Sequence, residues 1–529
     1  MPTFGKAGVY VSEILTGPTP PPSISSPSVA AFAGEHWRGP TYAVQCNHWS
    51  DFVKFFGGFQ TSPTPVLANP YLAYAVYEYF ANGGNTCWVL RVTASTTPGV
   101  NASITLKDSQ ATPVNTLSLT AGFYGVIGDV GAWGNSLYCD VVTNSSVPGT
   151  GRFNLNIYYG SSAAQYRVET WTDLSMNPVD NRYVVSVLNS VTQGSQWVVA
   201  TNLSDPATSP ANGPLPGVAR QFSGGIDCTS PTVADYQAVF TYGSIPTPAP
   251  FDQIPGILNI NLPGNSTAAV ITACIAYAST RPFTFMVMDP PSGQTPAGAA
   301  SYFSSLGNPS SYAALYYPWV LVTNPASTSL QSTILMPPGG LVLGQMVTTD
   351  AQNGVWQAPA GLNTVMNNVV AAERIFGPSE LDALNLGNIN ALKTRPNGNV
   401  IIWGARTMQS GYASLYVPVR RTLNYIESSL SQLLEFSVFQ PNDALLWSSI
   451  HQACSAFLTG LYYQNAFPGS TAAQSFYVVC DSSNNTPQTM SQGIVNTNVG
   501  VALLYPAEFI NLVVAQFQST GATTITSVS

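Results

Sequence analysis

The chain has 529 residues, of which only 8% are Asp, Glu, Lys or Arg, and its 24 carboxylates outnumber 16 basic side chains. This length predicts roughly three or four domains. No basic cluster is larger than Arg420-Arg421, which excludes direct nucleic-acid binding, because phosphate contact needs a concentrated positive charge. A lightly charged surface suits a subunit that packs against its own copies, although a secreted or unusual globular protein fits it too.

The cysteines and the apolar runs indicate where the protein is made. Seven cysteines lie far apart, without a Cys-x-x-Cys pair, and predict buried thiols in a protein made in a reducing cytoplasm. The first six residues lack the apolar core of a signal peptide. The longest apolar runs are shorter than the roughly 20 residues of a spanning helix, so no membrane insertion is expected.

The N-terminal part begins with an isolated strand and continues into a buried one. Residues 8–13 form a predicted strand, which is followed by five prolines between positions 16 and 27. A strand at 29–33 and a helix at 71–80 come next, and Asn82-Gly83-Gly84 ends that helix. A buried strand is predicted at 87–92.

The middle of the chain contains two regions with different residue patterns. Between 94 and 223, alternating polar and apolar residues predict strands at 103–107, 137–142, 153–159, 166–170 and 196–200, hence an inserted all-β module. From 224 to 395, strands at 257–260, 283–288 and 313–322 alternate with helices such as 267–279. This alternation predicts a mainly parallel sheet covered on both faces.

The C-terminal part predicts a small α+β unit. Strands at 400–403 and 415–419 precede an amphipathic helix marked by Leu423, Ile426 and Leu430. Asn442 is the predicted N-cap of a second amphipathic helix. Strands at 476–480 and 494–504 follow, and a last strand is predicted at 509–517.

Both ends of the chain therefore carry a strand at the end of a flexible connection. Such strands can add to the open edge of another subunit's sheet through main-chain hydrogen bonds. The alternative is that both arms fold back on their own sheet. The candidate residues for strand addition are Val9, Tyr10, Val11, Ser12, Glu13, Phe509, Ile510, Asn511, Leu512, Val513 and Val514.

No residue pattern predicts catalysis, a cofactor or a metal. The three histidines, His36, His48 and His451, lie outside the region that would carry a serine-protease triad. There is no phosphate-binding loop and no dinucleotide fingerprint, and three isolated carboxylates are typical of turns and caps: Asp227, Asp235 and Asp252. Four tryptophans could line a sugar-binding surface, but core or interface packing is the commoner role of such residues: Trp133, Trp319, Trp356 and Trp403.

The order and spacing of short motifs along nearly the whole chain resemble the contractile tail sheath proteins of tailed bacteriophages, which have relatives in phage-like contractile injection machines. The motifs include Gly8-Val9-Tyr10-Val11, Arg38-Gly39-Pro40, Phe56-Gly57-Gly58, Cys87-Trp88-Val89-Leu90-Arg91, Tyr316-Tyr317-Pro318-Trp319, Pro337-Pro338-Gly339, Trp403-Gly404-Ala405-Arg406-Thr407, Val419-Arg420-Arg421 and Pro506-Ala507-Glu508-Phe509.

The resemblance implies a multidomain α/β and α+β fold. Its parts are an N-terminal arm (1–27), the N-terminal part of the core (28–93), an inserted β-sandwich on the outer surface (94–223), a subtilisin-like α/β domain without a catalytic site (224–395), a tube-facing α+β domain (396–506) and a C-terminal arm (507–529). In this family the likeness to subtilisin is one of fold, and fold confers no chemistry.

The implied function is structural. The subunit would polymerise as stacked rings around an inner tail tube, in the virion, and contract to drive the tube through the host envelope. Expected partners are further copies, the tube protein, and baseplate and tail terminator proteins, all met in the host cytoplasm. Lys393, Arg395, Arg420 and Arg421 are candidate tube contacts, although helix capping or pairing with Glu427 explains them equally well. The alternatives are a genome-free injection particle, or a carbohydrate-binding or enzymatic tail component.

Overall fold

The structure is a computed structural model that describes residues 26, 28–60, 67–125, 129–143, 152–203, 213–243, 248–307, 309–327, 329, 332–411 and 414–512. The strands are β1 Ala30–Gly34, β2 Val44–Cys46, β3 Cys87–Arg91, β4 Ser103–Lys107, β5 Asn115–Ala121, β6 Leu137–Thr143, β7 Phe153–Ser161, β8 Ala164–Leu174, β9 Val198–Asn202, β10 Gly217–Gln221, β11 Leu258–Asn261, β12 Thr284–Met288, β13 Ala313–Tyr317, β14 Val320–Thr323, β15 Thr333–Met336, β16 Val369–Ala372, β17 Ile389–Thr394, β18 Val400–Ile402, β19 Phe476–Val479 and β20 Asn498–Val501.

The helices are α1 Trp49–Phe56, α2 Leu72–Ala81, α3 Val184–Leu188, α4 Val233–Val239, α5 Ala268–Thr280, α6 Pro296–Ser305, α7 Gly339–Asn353, α8 Pro378–Leu386, α9 Val417–Leu433, α10 Ala444–Tyr463, α11 Ala472–Ser475 and α12 Pro487–Ser491. Short 3₁₀ turns lie at Ala132–Ser136 and Glu435–Ser437.

An eight-stranded sheet with the order β18-β17-β13-β12-β11-β1-β3-β2 forms the centre of the molecule. Its six inner strands pair in parallel, and β2 and β18 add antiparallel edges. Successive residues of β1 face opposite sides: Phe32 packs with α1, α2 and α7 on one face, and Ala31 packs with α4 and α5 on the other. The predicted parallel sheet with two covered faces is thus confirmed.

One close helix contact explains a glycine pair at the start of α7. A Cβ at Gly340 would lie 2.3 Å from the carbonyl oxygen of Ala75 on α2, and one at Gly344 would lie 2.7 Å from that of Tyr79. Only residues without a side chain allow the two helices to approach this closely. The N-terminal part of the chain and α7 therefore share one core.

The prediction of one continuous strand at 313–322 is wrong. The chain forms β13 up to Tyr317 and then β14 from Val320, and β14 belongs to a separate three-stranded sheet with the order β15-β14-β16. Pro318 lies at the break, and proline has no N–H group to continue a ladder of hydrogen bonds.

The strands β4 to β10 form two antiparallel sheets, one with the order β10-β6-β7-β8 and one with the order β4-β5-β9. Alternate residues of both sheets enter a shared hydrophobic core, as Leu117 and Leu119 do from β5 and Leu155 and Ile157 do from β7. The alternation of apolar and polar residues along each strand therefore gives each sheet one face in the core and one face outside it.

The C-terminal unit consists of α9, α10, the short helices α11 and α12, and the two-stranded antiparallel sheet β19-β20. Two local predictions are wrong here. Residues 417–419 begin α9 instead of ending a strand, because Pro418 occupies the first helical turn, where its missing N–H is not needed. The N-cap of α10 is Asp443, whose carboxylate accepts a hydrogen bond from the Leu446 N–H, so the predicted cap at Asn442 is displaced by one residue.

Candidate assembly surfaces

The predicted C-terminal arm is described only at its beginning. Val9, Tyr10, Val11, Ser12 and Glu13 lie outside the described residues, as do Val513 and Val514. Residues 502–512 follow β20 without forming a helix or a strand. Phe509, Ile510 and Leu512 are 76%, 87% and 80% exposed. Three apolar side chains within four residues thus face solvent, and exposed apolar groups of this kind are typical of contact surfaces.

Glu508 holds the start of this segment against the body of the protein. Its carboxylate accepts hydrogen bonds from Arg406 Nε at 3.0 Å and from the Tyr416 hydroxyl at 3.1 Å, and Arg406 Nη2 adds a third. The guanidinium also donates to the carbonyl oxygen of Asn385 at 2.8 Å. The side chains of Arg406 and Glu508 are only 11% and 19% exposed. Two motifs that are 102 residues apart in the sequence therefore meet in one partly buried ion pair.

The sheet β19-β20 has two open edges among the described residues. One of its faces packs on the helices, where Phe476, Val478, Val499 and Val501 surround Leu458 and Leu461 of α10. The opposite face leaves Tyr477 62% exposed. A two-stranded sheet is marginally stable without further strands or a packed face. Its open N–H and C=O groups can accept an additional strand on either side.

The four candidate tube contacts divide into two pairs. Lys393 and Arg395 are partly exposed near the edge strand β18, and Lys393 Nζ lies 4.2 Å from the centre of the Trp403 ring. Arg420 and Arg421 are buried. Arg420 binds Asn424 and Glu427, and Arg421 Nη1 binds Asp350 at 3.0 Å. A tube contact through Arg421 would first require this internal ion pair to open.

A charged cluster that the sequence did not predict joins the eight-stranded sheet to the β module. Arg38 Nε donates to Asp129 at 3.0 Å, and the Gly39 N–H donates to the same carboxylate at 2.6 Å. The guanidinium of Arg38 lies 3.9 Å from the ring centre of Trp133 and 4.8 Å from that of Trp197. The motif Arg38-Gly39-Pro40 pointed to this place, but nothing in the sequence identified Asp129 as its partner.

The structure offers little support for a catalytic or sugar-binding site. His36 is buried, and its burial together with Arg91 nearby lowers its pKa to about 3, so the ring is neutral at physiological pH. Asp227, Asp235 and Asp252 accept hydrogen bonds from nearby groups, and Asp235 completes the capping box of α4, whose N-cap is Thr232, as predicted for turn and capping residues. Trp133 and Trp319 are buried, which removes two of the four aromatic residues from any sugar-binding surface.

Among the described residues, no group of three or more His, Cys, Asp or Glu side chains could hold a metal ion. No helix in this part of the chain is both long and apolar enough to cross a membrane.

Comparison with solved structures defines the class of protein that shares this fold. The chain is similar to the helical sheath of the anti-feeding prophage in its contracted state, with 20% identity, a TM-score of 0.55, and coverage of 97% of this chain and 100% of that one. It is also similar to a sheath tail protein from Listeria innocua, with 14% identity, a TM-score of 0.57, and coverage of 86% and 89%. At these identities the likeness establishes the fold, a mixed α/β multidomain fold of sheath proteins.

Curated proteins with similar sequences carry the same description. Tail sheath proteins of Vibrio phage KVP40 and of Enterobacteria phage T4 are each 26% identical to this chain, over 191 and 189 residues. Each match covers 35% of this chain, and it spans only about a quarter of the length of the relative. No protein-family model matches the sequence. The predicted resemblance to tail sheath proteins is confirmed by the curated relatives and by the solved structures.

Proposed function

We propose that this protein is the structural subunit of a contractile tail sheath. It polymerises as stacked rings around an inner tail tube and contracts to drive that tube through the host envelope during genome delivery. The observation that carries the proposal is the agreement between the sheath fold, which extends over nearly the whole chain, and the phage tail sheath sequences that the chain matches. Contraction would proceed by rotation of rigid domains about their contacts, without a nucleotide.

The proposed domain roles follow the layers of the fold. The module at 94–223 is an inserted β-sandwich that lies on the outside of the tube; its two sheets and shared core support this assignment. The parallel sheet with covered faces supports a subtilisin-like domain in the region 224–395. The unit at 396–506 faces the inner tube, with Lys393 and Arg395 at the boundary as accessible cationic contacts.

Subunits are proposed to be linked by strand addition. The arm strands Val9 to Glu13 and Phe509 to Val514 of neighbouring copies would pair with the open edges of β19-β20. The main-chain hydrogen bonds would supply affinity, and the alternating side chains would supply specificity. The exposed apolar side chains at positions 509, 510 and 512 support this, because pairing would remove them from water.

The remaining partners are the tail tube protein and the baseplate and tail terminator proteins, and the protein's place is the virion. The similarity to the anti-feeding prophage baseplate supports the baseplate partner. No enzymatic activity is proposed, because the similar proteins are described as sheath components. The sheath of a genome-free injection particle is the second candidate, since some of the similar structures come from injection systems.

Electron microscopy of the purified chain tests the proposal. We expect tubes or rings from the full chain, and none from a version that lacks residues 1–20 and 508–529. Monodisperse particles from both versions would contradict assembly through the arms. They would favour the alternative of a carbohydrate-binding tail component.

A double variant tests the strand pairing itself. Val11→Pro with Leu512→Pro should abolish polymerisation and leave a folded monomer, because proline cannot donate a main-chain hydrogen bond. The matched control, Val11→Ala with Leu512→Ala, keeps both N–H groups and should still polymerise. Polymers of normal length from the proline variant would refute strand addition at these positions.

A further inference from the structure

The point at which the C-terminal arm leaves the subunit is held more firmly than a solvent-exposed tail requires. Glu508 is bound by Arg406 and Tyr416, as described above, and the ring of Phe509 lies 6.0 Å from the Arg406 guanidinium carbon. From Phe509 to Leu512 the described residues are exposed. Glu508 is thus the last described residue of the chain that is not exposed.

The residue that holds Glu508 is itself fixed to the eight-stranded sheet. The Arg406 N–H donates to Asn390 Oδ1 at 2.7 Å, and Asn390 Nδ2 donates to the Arg406 carbonyl oxygen at 2.8 Å. Asn390 belongs to β17 and is 1% exposed. The Arg406 guanidinium also donates to the carbonyl oxygen of Asn385 at the end of α8. Three hydrogen bonds therefore connect Arg406, and through it the start of the arm, to β17 and α8.

Fixing this point matters because strand pairing is sensitive to register. A strand advances about 3.3 Å per residue, and a slip of one residue turns every side chain to the opposite face. A loosely held arm could pair in several registers. An arm fixed at residue 508 presents residues 509 onward at one distance from the core.

We propose that Arg406 and Glu508, together with Tyr416 and Asn390, form an arm clamp that sets where the C-terminal arm leaves the subunit and the register in which it pairs with a neighbouring copy. The register part rests on the proposed sheath function. The clamp part concerns the isolated subunit and can be tested without any polymer.

The first experiment measures the mobility of the arm in the monomer. A spin label is attached at Ile510→Cys in a Cys228→Ser background, because Cys228 is the one cysteine that is not fully buried. Glu508→Gln keeps the shape of the side chain and removes its charge. We expect the rotational correlation time of the label to fall severalfold in this variant.

Glu380→Gln is the matched control. Glu380 binds Arg374 at 2.7 Å in an ion pair with 34% of its side chain exposed, in the first turn of α8, whereas Asn385, which Arg406 binds, lies at the other end of that helix. This variant should leave the label's mobility unchanged. Arg406→Lys keeps the positive charge but loses the two-pronged contact, and an intermediate mobility is expected. Equal mobility in the Glu508→Gln variant and the parent would overturn the clamp.

The second experiment compares assembly of the same variants, without the label. Glu508→Gln should lower the yield of regular polymer by about tenfold, which corresponds to about 1.4 kcal/mol, whereas Glu380→Gln should not. A mobile arm in Glu508→Gln with regular polymers at full yield would overturn the register role. A parent protein with an immobile arm that forms no polymer would contradict the sheath proposal and leave the clamp supported.

Discussion

The eight-stranded sheet buries both of its faces under helices, whereas the sheet β19-β20 has helices on one face and open edges on both sides. In the first, the main-chain groups of the six inner strands are paired within the chain. In the second, four residues per strand leave half of their main-chain groups unpaired by any described strand. Addition of a neighbour's strand to the edges of β19-β20 stays a prediction.

The two regions also differ in the side chains that they bury and expose. Around the central sheet, buried charges bind one another, as Arg38 binds Asp129, and Arg421 of α9 binds Asp350 of α7 at the boundary with the C-terminal unit. In the C-terminal unit, the loop between α9 and α10 exposes Phe436, Val438 and Phe439. A buried charge that has no partner is costly, whereas an exposed apolar group becomes favourable once a partner covers it. Contact of this exposed loop with a neighbouring copy stays a prediction.

The largest expected effect is the loss of an internal charge partner in the core. Arg38→Ala leaves Asp129 buried without its main cation, and we expect a loss of about 3–5 kcal/mol in the free energy of unfolding. Denaturant titration followed by tryptophan fluorescence measures this, because Trp133 and Trp197 flank Arg38. The exposed Arg167 provides the control, and Arg167→Ala should change stability by less than about 0.5 kcal/mol. Similar losses of unfolding free energy in both variants would show that the buried pair of Arg38 and Asp129 does not stabilise the fold more than an exposed arginine does.

The next effect tests whether the two regions unfold separately. Leu458→Ala opens a cavity in the core of the C-terminal unit and should cost about 2–5 kcal/mol. We expect it to lower a C-terminal transition in calorimetry and to leave the main transition in place. Leu315→Ala, in the centre of the parallel sheet, is the matched change and should lower the main transition. A single transition that shifts equally in both variants would mean that the regions form one cooperative unit.

The smallest expected effect is a pH-dependent gain in the free energy of unfolding when a buried carboxylate of the core is replaced. Burial raises the pKa of Glu78 on α2 to about 7. The folded state therefore binds a proton more tightly than the unfolded state, and the stability due to this proton is lost as the pH rises through 7. Glu78→Gln should gain about 2 kcal/mol at pH 8 and much less at pH 4.5.

Thermal unfolding at these two pH values checks the Glu78 prediction. Glu435 is exposed, so Glu435→Gln should give no such difference and serves as the control. If Glu78→Gln gained the same stability at both pH values, the cause would be packing rather than ionisation.

Much of the fold could be predicted because its signals are local. The buried runs that became β3, β11 and β12 and the apolar spacing that became α9 and α10 follow from side-chain period alone. The predictions were wrong where a single proline ends a strand or fits the first turn of a helix. Pro318 divides one apolar run between two sheets, and Pro418 begins a helix inside a run that looks like a strand.

The candidate site could be predicted only in part. The strand predicted at 509–517 is not formed at its described residues, 509–512, which are exposed, and its pairing with a neighbour stays a prediction. The burial of Arg420 and Arg421 was not foreseen, since adjacent arginines on a helix look the same in sequence whether they face solvent or Asp350.

The sequence by itself determined the composition of the surface, the period of each main element and the order of motifs that resembles sheath proteins. Only the tertiary structure decided which distant groups meet: Arg38 with Asp129, Arg421 with Asp350, and Arg406 with Glu508. The physical reason is that hydrophobic period depends on neighbours a few residues away, whereas an ion pair depends on how whole elements pack.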